Sequence, residues 1–338
     1  MIGIAVCGAG NWGKNLVRNF SQQSGGELRY VVDVSEKTRA NMARQYPQAK
    51  VTAELSDALN DPQVHAVVVA VDAPRHFDVA RKALEAGKHT FVEKPLTLTA
   101  ADSEELIRLA EARGLKLMVG HLLRYHPAVA YMRQMIHDGE IDPLYLYTQR
   151  VNLGVVRSNE NAWWSLAPHD VSIACDLFNA DPVSVSVCGQ SYLQQGIEDV
   201  CFATVRFAND RMAHMHVSWL DPHKIRQVTL VGARKMVVFD DMDASEKVRI
   251  YDKGADVKEG VNNFAEAISL RVGDIHIPKI ASQEPLGMEC QHFIAAIAND
   301  TTPLSDGHDG LRVVKVLEAG AESLKQNGAP VEIAPISV

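Results

Sequence analysis

Over roughly the first 120 residues, short aliphatic runs alternate with helical patterns, which predicts a parallel sheet with helices on both faces. Ile2-Gly3-Ile4-Ala5-Val6-Cys7 is apolar and leads directly into Gly8-Ala9-Gly10-Asn11-Trp12-Gly13, and a second apolar run, Leu28 to Val32, ends on Asp33. Val64 to Val71 is nearly continuous in apolar residues, as in a strand buried on both sides. A helical pattern from His76 to Ala86 stops at Gly87, and His89 to Val92 reads as a strand followed by Glu93-Lys94-Pro95. Ala100 to Arg113 reads as a helix closed by Gly114, and Lys116 to Val119 as a sixth strand, so the first domain spans 1–120.

Beyond Gly120 the pattern changes. Leu144 to Asn152, Val183 to Gln190, Ala203 to Phe207, Arg211 to Trp219, Arg226 to Val231 and Met236 to Asp240 read as strands of a large, mostly antiparallel sheet. One helix, Pro168 to Phe178, interrupts them. Ser245 to Glu284 is charged and aperiodic and reads as an excursion loop or a subunit contact. Helices return over Glu284 to Ala298 and Asp309 to Asn327, placed to pack back on the first domain within a second domain of 121–338. One helical layer leaves the other sheet face open, and a second copy of the chain is the expected cover.

A chain of 338 residues, 46% hydrophobic, is long enough for two cores. A net charge of −8 argues against a broad nucleic-acid or anionic-membrane surface, since these need clustered Lys and Arg. The cysteines Cys7, Cys175, Cys188, Cys201 and Cys290 are scattered and form no CxxC pair, the pattern of reduced thiols without a zinc site. No apolar stretch has the length of a spanning helix and the chain opens on a strand rather than a leader, so a cytoplasmic enzyme without a metal is expected.

The glycine turn supplies the first chemistry. Gly8, Gly10 and Gly13 permit a tight turn and let the backbone, with Asn11 and Trp12, approach a pyrophosphate at the start of a helix. Asp33 falls where an acid accepts hydrogen bonds from an adenosine ribose; its charge repels a 2′-phosphate, which selects NAD over NADP. Glu93-Lys94-Pro95 follows a strand at the edge where ligands of open α/β sheets gather, and the proline denies a helix at Lys94. The Lys94 ammonium there is placed to donate to a substrate hydroxyl and to the cofactor ribose. Val71, Asp72 and His76, after the fourth strand, belong to the same cofactor-binding edge.

Gly8 to Gly13, Asp33, Glu93-Lys94-Pro95, Gly120-His121-Leu122-Leu123-Arg124-Tyr125-His126-Pro127 and Ala167-Pro168-His169-Asp170, in this order and spacing, resemble the glucose-fructose oxidoreductase/inositol dehydrogenase (Gfo/Idh/MocA) family. The resemblance implies an N-terminal Rossmann domain and a C-terminal α/β domain with an open sheet. It also implies reversible oxidation of a sugar or polyol hydroxyl with a nicotinamide, by dimers or tetramers. His169 maps onto the family's catalytic histidine, which takes the hydroxyl proton. Pro168 is expected to start the helix, which would hold His169 in its first turn, where the dipole disfavours an imidazolium.

Two departures stand out. Ser165 occupies the position where the family often has an Asp, so Asp170, another acid or no acid tunes His169. Val71-Asp72 replaces the family's frequent Thr-Pro. The segment from Asn152 through Arg157 and Asn161 to Trp163-Trp164 reads as a loop lining the substrate cleft, where Arg suits phosphate, Asn hydroxyls and Trp a sugar or base face, or as an ordinary turn with packed tryptophans. Ser218 to Arg226, with Asp240-Asp241, is similar to the branch acting on nucleotide sugars, the UDP-N-acetylglucosamine 3-dehydrogenases. Within that resemblance Arg124, Arg157 and Lys224 are candidates for the diphosphate, or for ordinary ion pairs. Rival readings are an inositol or free-sugar dehydrogenase, a non-catalytic NAD-binding sensor, and a reductase of cyclic imides.

Overall fold

The computed structural model describes residues 1–257 and 268–336. The chain folds as two compact units, Met1–Tyr125 with Gln283–Glu318, and His126–Ser282 with Ala319–Pro335.

The first unit is built on a parallel sheet of six strands, β1 (Ile2–Cys7), β2 (Gly26–Val32), β3 (Lys50–Thr52), β4 (Ala66–Val69), β5 (His89–Glu93) and β6 (Leu117–Gly120). Their order is β3-β2-β1-β4-β5-β6, the doubly wound arrangement in which ligands gather outside the carboxyl ends of the strands. Its helices are α1 (Gly13–Gln22), α2 (Glu36–Gln45), α3 (Leu55–Leu59), α4 (His76–Glu85) and α5 (Ala100–Ala112). Leu16, Val17 and Phe20 form the buried stripe of α1, the spacing of an amphipathic helix. Sequence and structure agree here to within a residue or two at most element ends.

In the second unit, α6 (Pro127–His137), β7 (Pro143–Val151), α7 (Ala162–Phe178), β8 (Pro182–Gln190), β9 (Val200–Phe207), β10 (Met212–Ser218), β11 (Ile225–Gly232), β12 (Met236–Asp240), β13 (Val248–Val257) and β14 (Ile268–His276) follow in turn. With β15 (Val331–Glu332) they form a nine-stranded sheet, β14-β13-β12-β11-β7-β10-β9-β8-β15, in which only β7 and β10 pair parallel. The fold is therefore α/β, a Rossmann sheet followed by a large, mostly antiparallel open sheet.

Two expectations need correction. Within Ser245 to Glu284, β13 and β14 extend the sheet as a paired hairpin, Tyr251 opposite Ile275 and Val257 opposite Ile268. The charged residues Arg249, Asp252, Lys253, Arg271 and Asp274 break the strict alternation that marks a strand, and 258–267 of that segment lies outside the described residues. The helix expected to start at Pro168 starts at Ala162, because the Asn161 side chain accepts from the Trp164 N–H at 3.1 Å and caps it. Pro168 then sits inside α7, lacking the N–H that would bond the Trp164 carbonyl.

The helix α8 (Pro285–Ala298) belongs to the first unit, where the Phe293 ring meets Phe20 at 6.4 Å and Phe91 at 5.7 Å, both edge-on. After it, α9 (Gly307–Lys325) carries residues of both units. No described helix is long and apolar enough to cross a membrane.

Candidate active site

In the first unit the carboxyl ends of β1, β2, β4 and β5 carry the sequence-predicted cofactor residues. Gly8 has φ +92°, and a Cβ on it would lie 2.5 Å from the Ala70 carbonyl oxygen; a Cβ on Gly13 would lie 2.1 Å from the Gly8 oxygen. Both positions therefore admit only glycine. Gly10 is different: nothing lies within 4 Å of where its Cβ would stand, so open space faces it. No side chain caps α1 and no acid occupies its first turn, so its positive end faces an anion unopposed, while Lys14 N and Asn15 N bond back to Gly10 O at 3.3 Å and Trp12 O at 2.8 Å. Asp33 is fixed beside them, one oxygen accepting from Ala9 N and the other from Ser35 N, each at 2.8 Å. These features fit a dinucleotide: glycines at the pyrophosphate, a helix N-terminus without a side-chain cap or acid, and an acid held for a ribose.

Trp12 and Asn11 are exposed on the turn, and the Trp12 Nε1 donates to Glu93 Oε1 at 2.5 Å. Glu93 itself is 8% exposed, so it braces the turn from β5. Its second oxygen accepts from Lys94 N at 3.2 Å. Burial pushes the Glu93 carboxyl up to about 7, against the lowering pull of the Trp12 indole and Lys94. His76, 2% exposed, lies between two backbone carbonyls, Pro95 O at 2.8 Å from Nδ1 and Val71 O at 3.0 Å from Nε2. It shapes the two loops from within. Asp72 is exposed on the first of them.

Lys94 is half-buried at the end of β5. His121, fully buried at the end of β6, is pushed down to about 3 by burial, with the Arg124 and Lys94 charges adding, so a neutral imidazole adjoins this lysine. Arg124 is buried and paired with Asp309 of α9, which commits it to the fold.

In the second unit His169 is half-buried in the interior of α7, several residues past its first turn, so the helix-start argument for a neutral imidazole does not apply. Asp170, fully buried, accepts from Arg150 Nε at 3.0 Å and Nη2 at 2.9 Å and faces β7, not His169. Burial raises the Asp170 carboxyl while Arg150 opposes that shift. Ser165 is buried one turn before His169.

The expected cleft loop is partly helix. Trp163 is fully buried and packs against Gly320, where a Cβ would lie 2.6 Å from its ring, so it is core. Trp164 is half-buried on α7. Asn161 caps α7 and donates to Glu198 at 2.6 Å, which occupies its amide. Arg157 is exposed and paired with Glu160 at 3.0 Å; Asn152 is half-buried and Lys224 exposed. Sequence reasoning passed over Arg150 and Arg226. Arg150 shares the inward parity of Leu146 and Thr148 on β7, and a charge at an apolar parity position is the signal that marks it.

Comparison with known proteins agrees with this anatomy. Residues 2–121 match the oxidoreductase family's NAD-binding Rossmann fold, and residues 133–333 its C-terminal alpha/beta domain. The chain is 28% identical to a UDP-N-acetylglucosamine 3-dehydrogenase of Acidithiobacillus ferrooxidans over 316 residues, covering 91% of this chain and 93% of that one. It is 26% identical to a scyllo-inositol 2-dehydrogenase (NAD(+)) of Bacillus subtilis, over 97% of this chain and 95% of that one. A solved structure of the Acidithiobacillus enzyme superposes with a TM-score of 0.82 at 25% identity, over 97% of this chain and 99% of the other. The chain is an NAD-dependent oxidoreductase and belongs to the Gfo/Idh/MocA family.

Proposed function

We propose that the protein oxidises the 3-hydroxyl of a UDP-sugar, UDP-N-acetylglucosamine, to the 3-keto sugar. The end-to-end similarity to a UDP-N-acetylglucosamine 3-dehydrogenase carries this reading. Bound NAD supplies a ring that accepts hydride from the carbinol carbon. His169 takes the proton of the same hydroxyl, leaving a ketone. Its rigidity comes from α7, clamped to β7 by the Asp170–Arg150 pair next to it. Lys94 donates to the hydroxyl oxygen as it becomes a carbonyl, from a turn fixed by His76 and the Glu93 brace. Alignment of the reacting groups and stabilisation of charge growing on oxygen lower the barrier.

A second reading, an inositol or free-sugar dehydrogenase, is favoured by the Bacillus relative, whose match is also end to end. NADH absorbance with UDP-N-acetylglucosamine, myo-inositol and glucose as substrates separates the two. Oxidation of myo-inositol alone overturns the nucleotide-sugar reading, and turnover of none of them with NAD bound points to a sensor.

A homodimer or homotetramer and a cytoplasmic location complete the proposal. The sheet face carrying Tyr145, Tyr147 and Phe202 is exposed, which supports a second copy as its cover. All five cysteines lack disulfides, which supports a reducing compartment. Light scattering on the purified protein tests the oligomer; a monomer at micromolar concentration overturns it.

A further inference from the structure

Arg226 lies near the start of β11, directly opposite Arg150 of β7 in the antiparallel register. Opposed residues of such a pair share a face, so both guanidinium groups stand on the side of the sheet that α7 reaches through Asp170. Arg150 is neutralised there by both oxygens of Asp170. Arg226 is not: among the described residues no carboxylate lies within ion-pair distance of it. Asp170 and Asp241 act on it only from longer range. Asp241 is itself shared, its Oδ1 lying 3.8 Å from Lys247 Nζ and 3.5 Å from His126 Nε2. Three cations, Arg150, Arg226 and Lys247, therefore meet two anions, Asp170 and Asp241, with His126 held towards its neutral form by burial.

Arg226 is half-buried. A guanidinium cannot shed its proton to escape desolvation, so its charge calls for an oxyanion from outside the chain. The place suits a substrate. Val151 and Ser218, which end β7 and β10, adjoin Ile225 and Asn152 at this end of the sheet, and the turn of α7 that grips Arg150 also carries His169.

We infer that Arg226, backed by the Arg150–Asp170 pair, is the subsite for the phosphoryl group of the sugar substrate. This rests on the UDP-sugar reading for the identity of the anion, and a sugar carboxylate offers the same oxyanion chemistry. The planar fork of Arg226 reads two oxygens at once.

The test is calorimetric titration of the NADH-saturated protein with UDP, glucose 1-phosphate and glucuronate, in wild type, Arg226→Ala, Arg226→Gln and Arg226→Lys. Loss of a charge-assisted bond predicts roughly ten- to a hundredfold weaker UDP binding in the Ala and Gln variants, with partial recovery in Lys. NADH affinity and melting temperature stay unchanged, and KM for the nucleotide sugar rises more than kcat falls. Equal UDP affinity in wild type and Arg226→Gln overturns the subsite. So does a wild type that binds neither UDP nor glucose 1-phosphate, or that binds only glucuronate. Arg226-dependent UDP binding without oxidation of UDP-N-acetylglucosamine keeps the subsite and removes the functional reading. Oxidation with an unchanged KM in Arg226→Gln does the reverse.

Discussion

The indole Nε1 of Trp12 donates to Oε1 of Glu93 across 2.5 Å, so the end of the fifth strand holds the glycine turn from below. The bond involves a buried carboxyl, and losing its donor leaves Glu93 short of a partner. Trp12→Phe keeps an aromatic ring on the turn and removes only the N–H. Its NADH affinity, read by fluorescence titration, is expected to fall roughly tenfold. An unchanged affinity would show that the turn holds its shape without the brace.

The same carboxyl makes stability depend on pH. Its folded pKa of about 7 lies above the ordinary 4.5, so the folded state binds the proton more tightly than the unfolded chain does. The contribution of Glu93 is therefore fully present below the ordinary value and is lost as pH rises through about 7. Glu289, buried nearby and raised well above its ordinary value, adds to this in the same direction. Glu93→Gln cannot ionise. Thermal melts from pH 5 to 8 are expected to show the variant gaining on wild type as pH rises; parallel curves would refute the buried charge.

Gly10 and Gly13 separate binding from folding. A methyl on Gly13 collides with the Gly8 carbonyl at 2.1 Å, whereas one on Gly10 enters open space. Gly10→Ala is expected to melt like wild type yet bind NADH at least tenfold more weakly, because the pyrophosphate needs that space. Gly13→Ala loses stability as well. Normal NADH binding by Gly10→Ala would move the pyrophosphate elsewhere.

The first sheet was legible because strands buried on both faces read as continuous apolar runs, and its glycine turn and spaced acid are local in sequence. The second unit was less so. Pro168 looks like a helix start, yet the capping side chain of Asn161 lies about two turns earlier and decides the boundary. Trp163 reads from sequence as either a cleft or a packed residue, because sequence shows type and not direction; packing on Gly320 turns it inward. Arg124 and Asn161 were similarly spent on Asp309 and Glu198, partners too distant in the chain for spacing to reveal. Asp170 is adjacent to His169 in sequence, and only its pairing with Arg150 on another element shows that its carboxylate is directed to β7.

That pairing carries a stability prediction of its own. Asp170→Ala leaves the Arg150 guanidinium buried without its countercharge, and breaking a buried pair on one side costs about 3–5 kcal/mol. A lower melting temperature is expected, with some recovery when Arg150 is replaced by Met in the same chain. A double variant no more stable than Asp170→Ala would show that the loss has another origin.

His169 and Lys94 are the residues on which turnover is expected to depend, and their variants should differ in kind. In the proposed mechanism His169 removes the hydroxyl proton, so His169→Ala should lower kcat by roughly 10²- to 10⁴-fold, the range for losing a general base. NADH affinity and melting temperature should stay close to wild type, since the half-buried ring leaves only a small gap in α7. Lys94, in the same proposed mechanism, donates to the hydroxyl oxygen and to the cofactor ribose, and its charge also helps keep His121 neutral. Lys94→Ala should therefore lose turnover and NADH affinity together. Single-turnover absorbance with each variant, alongside NADH titration, reads both quantities. Near-normal turnover in His169→Ala would remove the histidine from the chemistry, and a Lys94→Ala protein unchanged in both measurements would remove the lysine.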